Sequence, residues 1–128
     1  MRAGKVYIVD DHEATRDSLA LLFGTLGWEV TTFAGAAACL IALNSSTDLP
    51  NCIITDLNMP GMSGVELMLA FPEAMKNIPV VVMTAEDRAS AAIQLALLAG
   101  ARQIVHKPFQ MEVIRNAVEL SLAPIRSE

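Results

Sequence analysis

The chain has 128 residues, enough for one ordinary domain and too few for two. Apolar types make up 53 % of it and charged types 18 %, which excludes a disordered chain and allows a sizeable core. Nine basic residues against fourteen acidic ones give a net charge of −5, a balance that argues against direct nucleic-acid binding, since a phosphate backbone calls for a basic patch. No apolar run approaches the roughly 20 residues of a membrane span. Met1-Arg2-Ala3-Gly4-Lys5 leads straight into a strand-like run with no signal-peptide pattern. The expectation is a cytoplasmic protein, off the membrane, with Cys39 and Cys52 as reduced core thiols.

In chain order, Val6-Tyr7-Ile8-Val9 is short, β-branched and followed by acids, a buried strand. From Glu13 to Leu26 the apolar positions Leu19, Leu22, Phe23 and Leu26 recur at three and four, an amphipathic helix stopped by Gly27. Glu29 to Phe33 reads as a second strand, Ala36 to Leu43 as a short helix, and Cys52-Ile53-Ile54-Thr55 as a third strand. Asn58 to Gly64 is loop punctuation, followed by a helix from about Val65 towards Pro72 with an irregular end through Asn77. Val80 to Met83 is a fourth strand, Ala89 to Ala99 an Ala- and Leu-rich helix stopped by Gly100, and Gln103 to His106 a fifth strand. A last helix runs from Gln110 to Leu122 with Ile114, Val118 and Leu122 on one stripe. The domain is expected to end near Pro124, leaving residues 125–128 as a frayed tail.

Five strands alternating with five helices imply βαβ units and a parallel sheet covered on both faces. Right-handed crossovers favour a single-domain, doubly wound, flavodoxin-like α/β fold with strand order 2-1-3-4-5. In such sheets the ligand site lies beyond the carboxyl ends of the strands, where the order reverses between strands 1 and 3.

The residues just past those ends are polar. Strand 1 ends in Asp10-Asp11, strand 3 in Asp56, strand 4 in Thr84 and strand 5 in Lys107-Pro108. Taken singly, each is an ordinary turn, cap or loop residue. Together they converge in this fold, and three carboxylates at the switch point repel one another unless a cation is present. Mg²⁺ suits oxygen ligands of this kind, taking one or two carboxylates and keeping waters and phosphate oxygens (Mn²⁺ would serve similarly). Asp56 is then a candidate nucleophile for phosphoryl transfer, with Lys107 and the Thr84 hydroxyl holding phosphoryl oxygens.

With these motifs the sequence resembles a response-regulator receiver domain of two-component signalling. The match runs from about Val6 to Leu122. It rests on Val-Asp-Asp at 9–11, Asp-Leu-Asn-Met-Pro-Gly-Met-Ser-Gly at 56–64, Met-Thr-Ala at 83–85 and Lys-Pro-Phe at 107–109. The stretches Tyr-Ile-Val-Asp-Asp-His-Glu and Leu-Gly-Trp-Glu-Val-Thr-Thr-Phe resemble FixJ-like receivers in particular. The resemblance implies phosphorylation of Asp56 by a partner histidine kinase or phosphotransfer protein. It implies Mg²⁺ held by Asp11, Asp56 and the Asn58 carbonyl, with Asp10 acting through water. Thr84 and Lys107 would contact the phosphoryl group, Ala85 follows the switching Thr, and Pro108 follows a cis peptide bond. Pro60, Gly61 and Gly64 would shape the loop after Asp56. The chain would be a signalling switch rather than an enzyme, with only its own phosphorylation and dephosphorylation chemistry. FixJ-like receivers usually precede a DNA-binding domain, so the chain is either a single-domain regulator or an excised receiver.

Asn58 and Glu86 occupy the two positions that tune phosphoryl lifetime in such domains, and the pair resembles a chemotaxis regulator with a short-lived phosphoform. The sequence departs from many receivers at Ile104, where an aromatic side chain is common three residues before the Lys. Either backbone shifts after Thr84 relay the signal or coupling to the output face is weak. That face is expected on the fourth helix, fifth strand and fifth helix, with Ile93, Leu97 and Leu98 as its apolar contacts for a partner or a phosphorylation-dependent homodimer. His12 adjoins Asp11, and His106, by strand alternation, points opposite to Lys107. Trp28 reads as a partly covered aromatic. Two other classes compete. An aspartate-nucleophile phosphatase of the haloacid dehalogenase type wants an Asp two residues after the nucleophile, where this chain has Asn58. A receiver-like interaction module that never takes phosphate would lack an acid or the Lys, and none is missing.

Overall fold

The strands form where β-branched residues run together. In the computed structural model, which describes residues 4–122, they are β1 (Gly4–Val9), β2 (Trp28–Phe33), β3 (Cys52–Asp56), β4 (Val80–Thr84) and β5 (Gln103–His106). All pair in parallel, in the order β2-β1-β3-β4-β5, as the alternation of elements predicted. β3 and β4 lie at the middle of the sheet and every one of their residues is buried, which is why both read as unbroken apolar runs.

The helices α1 (Glu13–Thr25) and α5 (Met111–Leu122) cover one face, α2 (Ala36–Ser45), α3 (Gly64–Leu69) and α4 (Ala91–Leu98) the other. Leu19, Phe23, Ile114 and Val118 pack on Val6, Ile8, Ile54 and Val81. Cys39, Leu43, Leu67, Ile93 and Ala96 pack on Tyr7, Val9, Ile53 and Val82. Each fully buried Leu or Ile contributes about 1.5–3 kcal/mol. Both cysteines are free and buried, and burial pushes the Cys39 thiol up to about 12 and the Cys52 thiol to about 11, so neither is a thiolate at neutral pH. Among the described residues no helix is long and apolar enough to cross a membrane.

Several boundaries differ from the sequence expectation, each for a local reason. β2 begins at Trp28, whose ring packs edge-on against Phe23 at 6.1 Å and is partly covered. α4 starts at Ala91, because the Ser90 side chain accepts the Ala92 N–H and so caps it, while Asp87 closes a turn on the Ala89 N–H. α3 is short, opened by a capping box between Ser63 and Glu66, and the irregular stretch after it holds a 3-10 turn at Glu73–Met75. The buried stripe of α5 runs through Ile114, Ala117, Val118 and Ser121, while Leu122 is 38 % exposed. Ile93 is a correction: it is only 4 % exposed and belongs to the core, so it contributes no surface to a partner. Leu97 and Leu98 are exposed as expected, Leu98 at 84 %. The frayed tail expected at 125–128 lies outside the described residues.

Candidate phosphorylation and metal site

Asp10 follows the last residue of β1 and Asp56 ends β3, so the pairing of these two central strands brings their carboxylates together. Both are buried. Backbone bonds fix the surrounding turns: Asp10 N–H to Phe33 O at 3.1 Å, Leu57 N–H to Met83 O at 2.8 Å, and Lys107 N–H to Thr84 O at 2.7 Å. The third of these seats Lys107, whose Nζ lies 3.1 Å from Asp10 Oδ2 and 3.4 Å from Asp56 Oδ2. The Lys107-Pro108 peptide is cis.

Asp11 and His12 complete the group. One ligand atom from each of Asp10, Asp11, His12 and Asp56 lies within 4.8 Å of the others. His12 N–H donates to Asp10 Oδ1 at 2.8 Å, and its Nδ1 sits 3.2 Å from the same oxygen. Asp11 Oδ1 is buried and has no hydrogen-bond partner, although His12 Nδ1 lies 3.4 Å away. Three carboxylates facing one ammonium leave two uncompensated negative charges, and a single divalent cation would cancel them. The orphaned Asp11 oxygen is the mark of a group that expects a ligand. The donor set therefore fits Mg²⁺ or Mn²⁺.

The electrostatics agree. Burial raises the Asp56 pKa above its ordinary value; Lys107 opposes this, and the Asp10 charge adds to it. Burial alone would lower the Lys107 pKa, but the negative charge of Asp56, then the hydrogen bond and charge of Asp10, outweigh it and raise it.

The loop after Asp56 is shaped by its glycines. A Cβ on Gly64 would stand 2.7 Å from the Asp56 carbonyl oxygen and 3.2 Å from Leu57 Cα, so only glycine lets α3 start this close to the site. Gly61 has φ +79°, a conformation L side chains rarely adopt. Pro60 precedes it on the exposed side of the loop.

At the rim, Asn58 Nδ2 donates to Glu86 Oε1 at 3.2 Å, so the two positions singled out for tuning touch each other. Thr84 is fully buried; its hydroxyl oxygen accepts the Glu86 N–H at 2.9 Å and makes no hydrogen bond to Asp56 among the described residues. Ala85 joins Ala14, Thr15, Ser18, Lys107 and Phe109 in lining a cavity of about 470 Å³ that reaches the Lys107 side of the site. Ile104 is half-buried and packs against the core under α4.

One contact lies beyond the sequence expectation and one extends it. Arg16, one turn into α1, donates from Nη1 to the Asp10 carbonyl at 2.8 Å. His12 enters the carboxylate group itself. Only the spacing of Arg16 six residues after Asp10 hinted at the first, and a sequence does not say which way such a side chain turns.

A five-stranded parallel sheet with buried acids at the ends of β1 and β3 and a lysine beyond β5 defines a receiver architecture. The profile of the response regulator receiver domain matches residues 6–119, and the chain belongs to that family. Among curated relatives it is 39 % identical over 115 residues to the transcriptional regulatory protein FixJ of Rhizobium meliloti, covering 89 % of this chain and 54 % of that one. It is 33 % identical over 123 residues to the DNA-binding transcriptional regulator NtrC of Escherichia coli K12, covering 96 % of this chain and 26 % of that one. The chain thus spans about half the length of the FixJ proteins it matches. In structure it superposes on the crystal structure of FixJ-N with a TM-score of 0.83 at 34 % identity, covering 100 % of both chains. On the chemotaxis response regulator CheY4 of Vibrio cholerae the TM-score is 0.84 at 29 % identity, covering 95 % of this chain and 100 % of that one.

Proposed function

We propose that this receiver domain takes a phosphoryl group on Asp56 from a histidine kinase or phosphotransfer protein and uses the mark to change its α4-β5-α5 surface. One observation carries the reading: a buried aspartate and its buried neighbour share one lysine, while a third carboxylate keeps an oxygen without a partner. An Asp56 oxygen attacks the donor's phosphorus, the P–N bond to the donor histidine breaks, and the imidazole keeps the electron pair. Lys107 holds the incoming oxygens, moving from carboxylate to phosphoryl without leaving the site. Asp11, Asp56 and the Asn58 carbonyl, with Asp10 behind water, would hold Mg²⁺ or Mn²⁺, which supplies charge neutralisation to the phosphoryl oxygens. Thr84 would exchange its bond to Glu86 for one to the phosphoryl group.

The hydrogen-bonded Asn58 and Glu86 put polar side chains at the exposed rim of the site, which supports a short-lived phosphoform. The exposed Leu97 and Leu98 support a partner or homodimer contact on the output face. The coverage of the FixJ and NtrC relatives supports a DNA-binding output domain in a longer parent, with residues 1–124 as the receiver, acting in the cytoplasm.

The test is incubation with acetyl phosphate and Mg²⁺ followed by intact mass. Wild type gains one phosphoryl group and Asp56→Asn gains none; the decay of that mass reads the lifetime, and a half-life of hours would contradict the short-lived form. No mass gain in wild type points instead to an interaction module that works without phosphate.

A further inference from the structure

At the carboxyl ends of β4 and β5, Thr84 has a neighbour, His106, that phosphoryl transfer does not use. Val82 is in register with Ile104, and Thr84 with His106. Val82 and Ile104 both pack in the core on the α2–α4 side, so by alternation Thr84 and His106 stand side by side on that same side, on strands about 4.8 Å apart. Thr84 Oγ1 is committed to the Glu86 N–H at 2.9 Å. His106 Nε2 is buried and has no hydrogen-bond partner. A buried polar atom left in this way is unfavourable, and a two-state molecule can supply the missing partner in its other state.

His106 also walls a cleft, which Thr84 itself does not line. The cleft has a volume of about 540 Å³ and lies along β5, the sheet edge that pairs only with β4. Arg88, four residues after Thr84, forms one wall; Ile104 and His106 form another; Phe109 and Val113 close it from the α5 side. Thr84 is therefore tied to both sides, to Arg88 through the loop it anchors and to His106 across the strand pair.

We propose that His106 is the positioning residue that relays the state of Thr84 to this cleft, by taking over the hydrogen bond that Thr84 gives up. When the Thr84 hydroxyl turns to a phosphoryl group on Asp56, the Glu86 N–H loses its acceptor. In the tautomer that leaves Nε2 without a proton, the His106 imidazole offers that nitrogen as the replacement acceptor and moves into the volume the hydroxyl leaves. One acceptor replaces another, so no donor stays unpaired, and the His106 wall of the cleft shifts with the loop. Ile104 has no polar atom with which to do this. The inference rests on Asp56 as the phosphoacceptor and on the Thr84 movement.

The chain has two histidines, so imidazole nitrogen NMR separates them, with His106→Gln assigning the signals. Acetyl phosphate and Mg²⁺ are added to labelled wild-type protein while intact mass is followed. The expected result is a change of the His106 Nε2 resonance to that of a hydrogen-bond acceptor, a Glu86 amide that stays protected from exchange, and a shift of the Val113 amide across the cleft. His106→Leu should accept the phosphoryl group to the same extent but lose the Val113 shift, and His106→Gln, whose side-chain oxygen can reach the Nε2 position, should restore it. A purely structural role would lower the melting temperature of the Leu variant and leave its phosphorylation-dependent shift intact. If the mass rises while the His106 signal stays still, or if His106→Leu transmits the full Val113 shift, the relay is overturned and the Asp56 reading stands. If the mass does not rise, both fall.

Discussion

The carboxyl ends of β1 and β3 differ from those of β4 and β5 in how their polar groups are satisfied. At the first pair, Asp10 is held by the His12 N–H, by Lys107 and, through its backbone carbonyl, by Arg16. Asp56 shares the same lysine. Most of this corner is over-determined, and its one loose atom, Asp11 Oδ1, faces the place where charge is missing. At the second pair, the Thr84 hydroxyl has one bond among the described residues, and His106 Nε2 has none. Chemistry that must stabilise charge needs preorganisation, whereas an element that must move needs a small difference between two arrangements. One sheet supplies both within a few residues.

The comparison is sharpest at Lys107, the one ammonium shared by two buried acids. Lys107→Ala leaves Asp10 and Asp56 without their cation, and breaking a buried pair in this way is strongly destabilising. Since the lysine side chain is 21 % exposed, a loss of about 2–3 kcal/mol is expected in chemical denaturation without divalent ions, part of it restored by Mg²⁺. A loss below about 0.5 kcal/mol would mean that solvent already compensates the acids.

The next contrast lies within α4. Ile93→Ala should cost about 2–4 kcal/mol by opening a cavity in the core, and Leu98→Ala should fall within about 0.5 kcal/mol of wild type. Similar losses at the two positions would show that Leu98 is packed rather than available to a partner.

A smaller effect of opposite sign is expected at Asp56. Its pKa is raised in the folded chain, chiefly by burial, with the Asp10 charge adding and Lys107 opposing. The folded state therefore binds the proton more tightly than the unfolded one, and the charged form costs stability. That cost is absent below the ordinary value of 3.8 and grows as pH rises through the raised folded value. Asp56→Asn should melt at a higher temperature than wild type at neutral pH without metal, and the gain should vanish under acid conditions. A gain that persists at acid pH would assign it to packing instead.

The strands and the acids at their ends were legible because both signals are local. Val6 to Val9 and Val80 to Met83 are apolar on both faces, and the fold rule for such sheets points at whatever follows them. The phase of α4 was not legible. Ala-Ala-Ile-Gln-Leu-Ala-Leu-Leu has no polar face to show which side turns inward, so Ile93 and Leu98 look alike until packing separates them. His12 and Arg16 depend on which way a side chain turns from a helix start, and the orphaned His106 nitrogen depends on its neighbours across β4. Such facts belong to tertiary packing, which no single-chain pattern encodes.

Magnesium calorimetry reaches the central claim most directly. Wild type should give a heat that saturates at one ion per chain, and Asp11→Asn and Asp56→Asn, each missing one of the charges that the ion would balance, should give little or none. A wild-type titration with no heat, or variants that bind as well as wild type, would contradict the account.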